Sequence, residues 1–337
     1  MEPMANKKEC NSCEQFKTMI GGQALIEGIM MRGPEKDAIV CRTKDGLNLQ
    51  VSDRKLPKEG SPLKWPFVRG VVNFFDSQVT GVKALLHSAD LNPDEEFSGE
   101  PGKLDLWLEK KLGNEKFQQL LIYSAAVLGL LMSIGLFFLL PMIIGGFFDG
   151  VVKSVVGINL IEGLVRMVIF MIYMILISRM GEMKRLFAYH GAEHKTIRCY
   201  EARMPLTVEN VRVQSRMHPR CGTSFLLVVM ILSILVFSVA SSGLLAAVPA
   251  LEAIRGSFGY RLIMIVFKLL MLPVVVSIAY EINRWVGKTD NAFTRLLTAP
   301  GLWMQNFTTN EPDDSMIEVA ITAVNAVLPE QEGADEW

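Results

Sequence analysis

Four stretches of this chain carry almost no polar side chain: residues 120–148, 160–178, 224–248 and 260–280. Each reaches the roughly 20 residues that a helix rising about 1.5 Å per residue needs to cross a hydrocarbon core. A run that long has no polar face for water and predicts a helix lying in lipid. Shorter periodicities fill the rest. Residues 65–89 place Val68, Val71, Val72, Phe75, Val79, Val82 and Leu86 in one helical stripe, with Arg69, Asp76 and Lys83 interspersed. That helix is too polar to span and suits the membrane interface. Residues 37–53 read as a hairpin, a β-rich run and the alternating "LNLQV" about a "KDG" turn. Before it, "MIGGQALIEGIMMRGP" sets Gly21, Gly22, Gly28 and Gly33 among apolar residues. It lacks the Lys-Ser/Thr of a P-loop and the spacing of a dinucleotide fingerprint, so it reads as part of a small sheet-containing cap.

The predicted fold is therefore a mainly α polytopic membrane protein. It has four transmembrane helices, a small β-containing N-terminal cytoplasmic cap and an interfacial amphipathic helix. Residues 1–17 form a disordered tail, 18–64 the β-containing segment, 65–89 the amphipathic helix, and 90–118 a linker and pre-membrane helix. The first two spans fall in 119–178, a polar loop in 179–223, the last two spans in 224–280, and a tail in 281–337. In that tail Asp313, Asp314 or Ser315 can cap a helix whose face of Ile317, Ala320, Ile321, Val324 and Leu328 suggests docking onto the cytoplasmic domain.

Charge orients this plan. The loop 179–223 carries nine Lys or Arg, while the links after the first and third runs carry few. The positive-inside rule puts that loop, and with four spans both termini, in the cytoplasm. The net charge of −1 and the lack of a basic stripe away from the membrane flanks argue against nucleic acid as a partner. Five cysteines on a cytoplasmic face stay reduced. Cys10 and Cys13 have the spacing of half a zinc knuckle, but no second pair follows. His87 ends the amphipathic helix as a solvated residue. Inside the spans, Glu162 and Arg166 stand one turn apart and can pair, and Lys268 lies mid-span, where a charge is a functional hypothesis by default.

The candidate chemistry sits in the polar loop. "YHGAEHKTIRCYE" (189–201) continues the second span with helical composition. His190 and His194 are i, i+4, side by side on one face, about 6 Å apart at Cβ. Two such imidazoles can chelate a divalent ion, zinc above all. Glu193 stands one position before the second, able to take a proton from a metal-activated water, in the H-x-x-E-H order of inverzincin metalloproteases. "MHPRCGTSF" (217–225) brings His218 and Cys221 to the end of the same loop, each a candidate third ligand. Four ligands would close the site into a structural one. Cys221 can also be a nucleophile paired with histidine, because Thr223 or Ser224 can cap the third span and so put the thiol near a helix N-terminus. Glu201 is two turns from His194 and out of reach; Glu281, at the end of the fourth span, is the better further ligand.

Across "GGQALIEGIMMRGP" (21–34), "FAYHGAEHKTIRCYE" (187–201), "PLTVENV" (205–211), "HPRCGTSFLL" (218–227), "YEINRW" (280–285) and "PGLWMQNFTTNEPDD" (300–314), the chain resembles the YqhQ-like family. These are bacterial polytopic membrane proteins of unknown function, described as predicted metal-dependent enzymes. The resemblance implies a bacterial inner-membrane location and a divalent metal. The residues leave three functions open. One is a metal-dependent hydrolase acting on a membrane-protein or lipid substrate. Another is a non-enzymatic membrane-protein assembly or scaffold factor with a structural His/Cys site. The third is a transporter built on Lys268, Glu162 and Pro273. Oligomeric state stays open.

Overall fold

The structure is a computed structural model that describes residues 16–54, 56–58, 60–92, 124, 127–289, 291–331 and 333–336. The expected disordered tail (apart from its last two residues), the Cys10/Cys13 pair, most of the 90–118 linker and pre-membrane helix, and the start of the first apolar run lie outside the described residues.

Among the described residues, four helices are long and apolar enough to cross a membrane: α2 (Val127–Gly146), α3 (Val155–Ile177), α6 (Gly222–Ala247) and α8 (Phe258–Lys288). They coincide with the four apolar runs, and α8 continues past the fourth by two helical turns. Their outward side chains, such as Leu130, Leu164, Leu235 and Leu270, are exposed. A bilayer is the solvent that suits such a surface. Short helices α5 (Val208–Arg212) and α7 (Ala250–Ala253) punctuate the loops.

Inside the bundle, tertiary partners override the local pairing the sequence suggested. Glu162 pairs with Lys268 of α8 and not with Arg166. Arg166 instead donates to the Phe137 carbonyl at 2.7 Å and to Ser233 Oγ at 3.3 Å, between the rings of Phe138 and Phe237. Phe137 lies in a π-helical turn of α2 (Gly135–Leu139). Such a turn disturbs the regular backbone ladder and lets a carbonyl serve an outside donor.

The N-terminal cap is a four-stranded antiparallel meander, β1 (Gly21–Leu25), β2 (Gly28–Arg32), β3 (Lys36–Thr43) and β4 (Gly46–Asp53), in that order. The expected hairpin is β3–β4, and the glycine-rich stretch supplies β1 and β2. β2 reads as an unbroken apolar run because both its faces are covered. Ile29 and Met31 pack with Ala38, Val40 and two helices, α4 (Gly181–Glu201) and α10 (Asp314–Asn325). Met30 packs on the other face with Leu25, Cys41 and Ala84. α10 is capped by Asp313, which accepts from Met316 N–H at 3.0 Å, and Ile317, Ala320 and Val324 are fully buried.

Ala84 belongs to α1 (Val68–Leu91), whose inward face is made of small residues, Gly70, Gly81, Ala84 and Ser88. A Cβ at Gly70 would lie 3.0 Å from the α8 backbone at Ser277. The apolar stripe read from the sequence faces outward instead: Val68, Phe75, Val79, Val82 and Leu86 are all exposed. The helix packs on protein with its small face and leaves its apolar face exposed. His87 differs from the reading of a solvated helix end: its Nε2 is buried without a hydrogen-bond partner among the described residues.

Candidate functional site

α4 breaks the usual relation between composition and burial. It carries His190, Glu193, His194 and Lys195 in its middle turns, yet from Phe187 to Ile197 its residues are buried, His190 alone being partly exposed. Polar groups taken from water need partners, and the surrounding elements supply them one at a time. Lys195 donates to the Arg212 carbonyl at 3.0 Å and pairs with Glu311 at 2.5 Å. His190 Nδ1 donates to the carbonyl of Thr308 at 2.8 Å, the last residue of α9 (Ala292–Thr308). His194 Nδ1 donates to the Arg216 carbonyl at 2.6 Å. A carbonyl can only accept, so each contact puts a proton on Nδ1 and aims Nε2 at the space between the rings, whose centroids are 4.3 Å apart.

Three donor atoms converge there. His190, His194 and Cys221 each present one atom, all within 4.8 Å of one another, and His190 Nε2 is 3.2 Å from Cys221 Sγ. Cys221 is itself the N-cap of α6, accepting from Thr223 N–H at 3.4 Å, where the sequence reading had given that role to Thr223 or Ser224. Burial alone would keep the thiol protonated, but His190 and His194 outweigh it and hold the thiol well below its ordinary 9.0. Burial likewise opposes charge on His190; the Cys221 thiolate and its hydrogen bond outweigh it and raise the imidazole to about 9.

Glu193, on the same helix, is coupled electrostatically to His190, His194 and Cys221. Its Oε1 accepts from Gly22 N–H of β1 at 3.0 Å, and burial raises its carboxyl above the ordinary range against the pull of the two histidines. Two glycines make this approach geometrically open. A Cβ at Gly22 would lie 3.1 Å from the Glu193 carboxyl carbon and 2.6 Å from the Met30 carbonyl. A Cβ at Gly191 would lie 2.0 Å from the carbonyl of Asn310. Two polar atoms at the centre remain buried with no partner among the described residues, Glu193 Oε2 and His194 Nε2. Leaving such atoms unpaired costs about 1–3 kcal/mol each. A group that accepted the His194 lone pair and carried a water for Glu193 would satisfy both. The residues present therefore fit a divalent ion held by His190, His194 and Cys221.

The other candidate ligands stand elsewhere. His218 is beside His194, ring centroids 5.6 Å apart, but its Nε2 turns away to Glu201 at 3.3 Å. The Gln305 amide holds the His218 backbone by two bonds of 2.8 and 2.7 Å. Glu201 joins this second group with Arg220 and the Thr18 N–H. Glu281 is far from the centre in role: Arg69 donates to it at 2.7 Å, so it fastens α1 to α8. The two backbone carbonyls at Thr308 and Arg216 carry no sequence signal at all. Gly22 and Gly191 did carry one, since glycine inside a strand or helix is unfavourable unless close approach requires it.

Residues 65–330 match the model of a family described as "Protein of unknown function (DUF1385)". The chain belongs to this family. It is 33% identical over 321 residues to the "Uncharacterized protein YqhQ" of Bacillus subtilis (strain 168), covering 91% of this chain and 92% of that one. No solved structure matches the chain. His190, Glu193, His194 and Cys221 all fall inside the family match, whereas Gly22, which orients Glu193, lies before it.

Proposed function

We propose that this chain is a metal-dependent membrane hydrolase whose centre is His190, His194 and Cys221 with Glu193 as general base. The observation that carries the reading is the pair of buried, unpartnered atoms, Glu193 Oε2 and His194 Nε2, beside three convergent donors. The Nδ1 contacts of both histidines match the outer-shell pattern that orients metal-ligating imidazoles. A zinc ion bound there would polarise a carbonyl and bring a water's pKa toward about 7. Glu193, held through Oε1 by Gly22, has Oε2 unpaired and would act as general base there. The centre lies just after α3 ends and just before α6 begins, at the bundle's end, facing the cytoplasm by the positive-inside rule. A substrate carrying an amide or ester can arrive sideways from the bilayer while water arrives from the cytosol.

A second reading, a membrane-protein assembly or scaffold factor, draws on a different observation. The centre stitches together β1, α4, the C-terminus of α9 and the start of α6, which is what a structural metal does. Metal analysis of purified wild type, His190→Ala and Glu193→Gln separates them. The hydrolase reading expects about one ion in wild type and Glu193→Gln, none in His190→Ala, and hydrolysis of fluorogenic ester or membrane-peptide substrates only by wild type. Glu193→Gln protein that keeps its ion and still complements a strain lacking the chain would move the assignment to the scaffold. Wild type that takes up no ion when offered zinc would remove both metal readings.

A further inference from the structure

At the other end of α3, about 35 Å away along 23 residues, the bundle holds a cavity of about 40 Å³. The enclosed part has room for about three waters, and the cavity is open on one side. Asp149, Asn159, Glu162, Arg255, Arg261 and Lys268 line it. Its floor is the buried Glu162–Lys268 pair, with side chains 7% and 3% exposed. Its walls are charged but incompletely matched. Arg255 is engaged, 3.0 Å from both Glu252 and the Lys153 carbonyl. Arg261 and Asp149 line the same space, and neither has an ion-pair partner among the described residues. Two glycines at the end of α2 shape the site. A Cβ at Gly145 would lie 2.8 Å from Glu162 Cγ, and one at Gly146 would lie 2.7 Å from Arg261 Nη2.

A simple anion does not suit this lining, because Asp149 and Glu162 would repel it. A simple cation fares no better against Arg255, Arg261 and Lys268. One unmatched charge of each sign across a small cavity is complementary to a zwitterion. It lies where α3 and α8 begin, and a bilayer spanned by these helices would bring lipid headgroups to that end. Arginine binds phosphate in a fork geometry, and a carboxylate accepts from a primary ammonium. We infer that this cavity binds a phosphate–ammonium zwitterion of the phosphoethanolamine type, with Arg261 on the phosphate and Asp149 on the ammonium. The source is either an aminophospholipid headgroup or a soluble phosphoethanolamine.

The test is binding to the purified full-length chain in detergent, read by native mass spectrometry and titration. The probes are short-chain phosphatidylethanolamine, phosphatidylcholine, phosphatidylglycerol and soluble phosphoethanolamine. The inference expects phosphatidylethanolamine to bind in preference to the methylated and the anionic lipid. Arg261→Gln and Asp149→Asn should each weaken it about tenfold or more. Metal content or melting temperature equal to wild type would show that the variants fold. Soluble phosphoethanolamine binding as tightly as the lipid identifies a solution ligand, and binding by the lipid alone identifies a headgroup. Equal binding of all three lipids by wild type overturns the inference even if neither variant folds, and a preference unchanged in both folded variants overturns it too.

Discussion

The two polar clusters strung along this helix bundle are opposites. Between α3 and α8, Glu162 and Lys268 close on each other, and Arg166 is consumed by a carbonyl, a hydroxyl and two aromatic faces. After α3 ends, the histidines spend Nδ1 on backbone carbonyls and leave Nε2 turned inward, with Glu193 keeping one oxygen unpaired. Charges in a low-dielectric bundle are tolerated when they pair with one another. The His/Cys centre pairs incompletely among the described residues, and that incompleteness is what motivates the proposed metal.

The sharpest break in the comparison comes from removing one donor at the open centre. His190→Ala should take bound metal from about one ion per chain to none, by elemental analysis, while Lys268→Met leaves it unchanged. The next effect belongs to the closed pair. Lys268→Met strands the Glu162 carboxylate and should destabilise the detergent-solubilised chain by about 3–5 kcal/mol, and adding Glu162→Gln should recover most of it. Thermal unfolding checks this; a double variant no better than the single would show that the pair is not self-contained. Smaller again is Gly22→Ala, which pushes β1 off Glu193 and should lower stability by about 1–3 kcal/mol and weaken metal retention.

The smallest effect sharpens the border of the open centre. Burial works against charge on Glu201, but the His218 hydrogen bond and the Arg220 charge outweigh it and hold its carboxyl below the ordinary 4.5. A depressed folded value means the unfolded chain binds the proton more readily, so the contribution is present above about pH 4.5 and fades as pH falls through the folded value. Stability measured from pH 6 downward should fall less steeply in Glu201→Gln than in wild type. Equal slopes would mean that Glu201 is not ionically held.

Much of this was legible along the chain. Four apolar runs specify four spans because no other fold hides that much surface, and "KDG" between alternating residues specifies the β3–β4 hairpin. H-x-x-E-H on a helix brings His190 and His194 together by spacing alone. Cys221 against His218 was not legible, because both enter from one loop and only the Gln305 clamp and the Glu201 contact turn His218 away. The i, i+4 rule paired Glu162 with Arg166, and a lysine 106 residues on displaced it. Glu281 shared an end of the bundle with the histidines by topology, but Arg69 claims it. The α1 stripe was legible as an outward apolar face; that glycine, alanine and serine make the protein contact followed from packing.

The sequence by itself determined the lipid-facing helices, the cap's hairpin and the pairing of two histidines, because each depends on spacing within one element. Tertiary structure alone decided which atoms at those histidines are spent and which are left open. The deciding partners are backbone groups, the carbonyls of Thr308 and Arg216 and the N–H of Gly22. Every residue carries such groups, so only the fold can say which ones arrive.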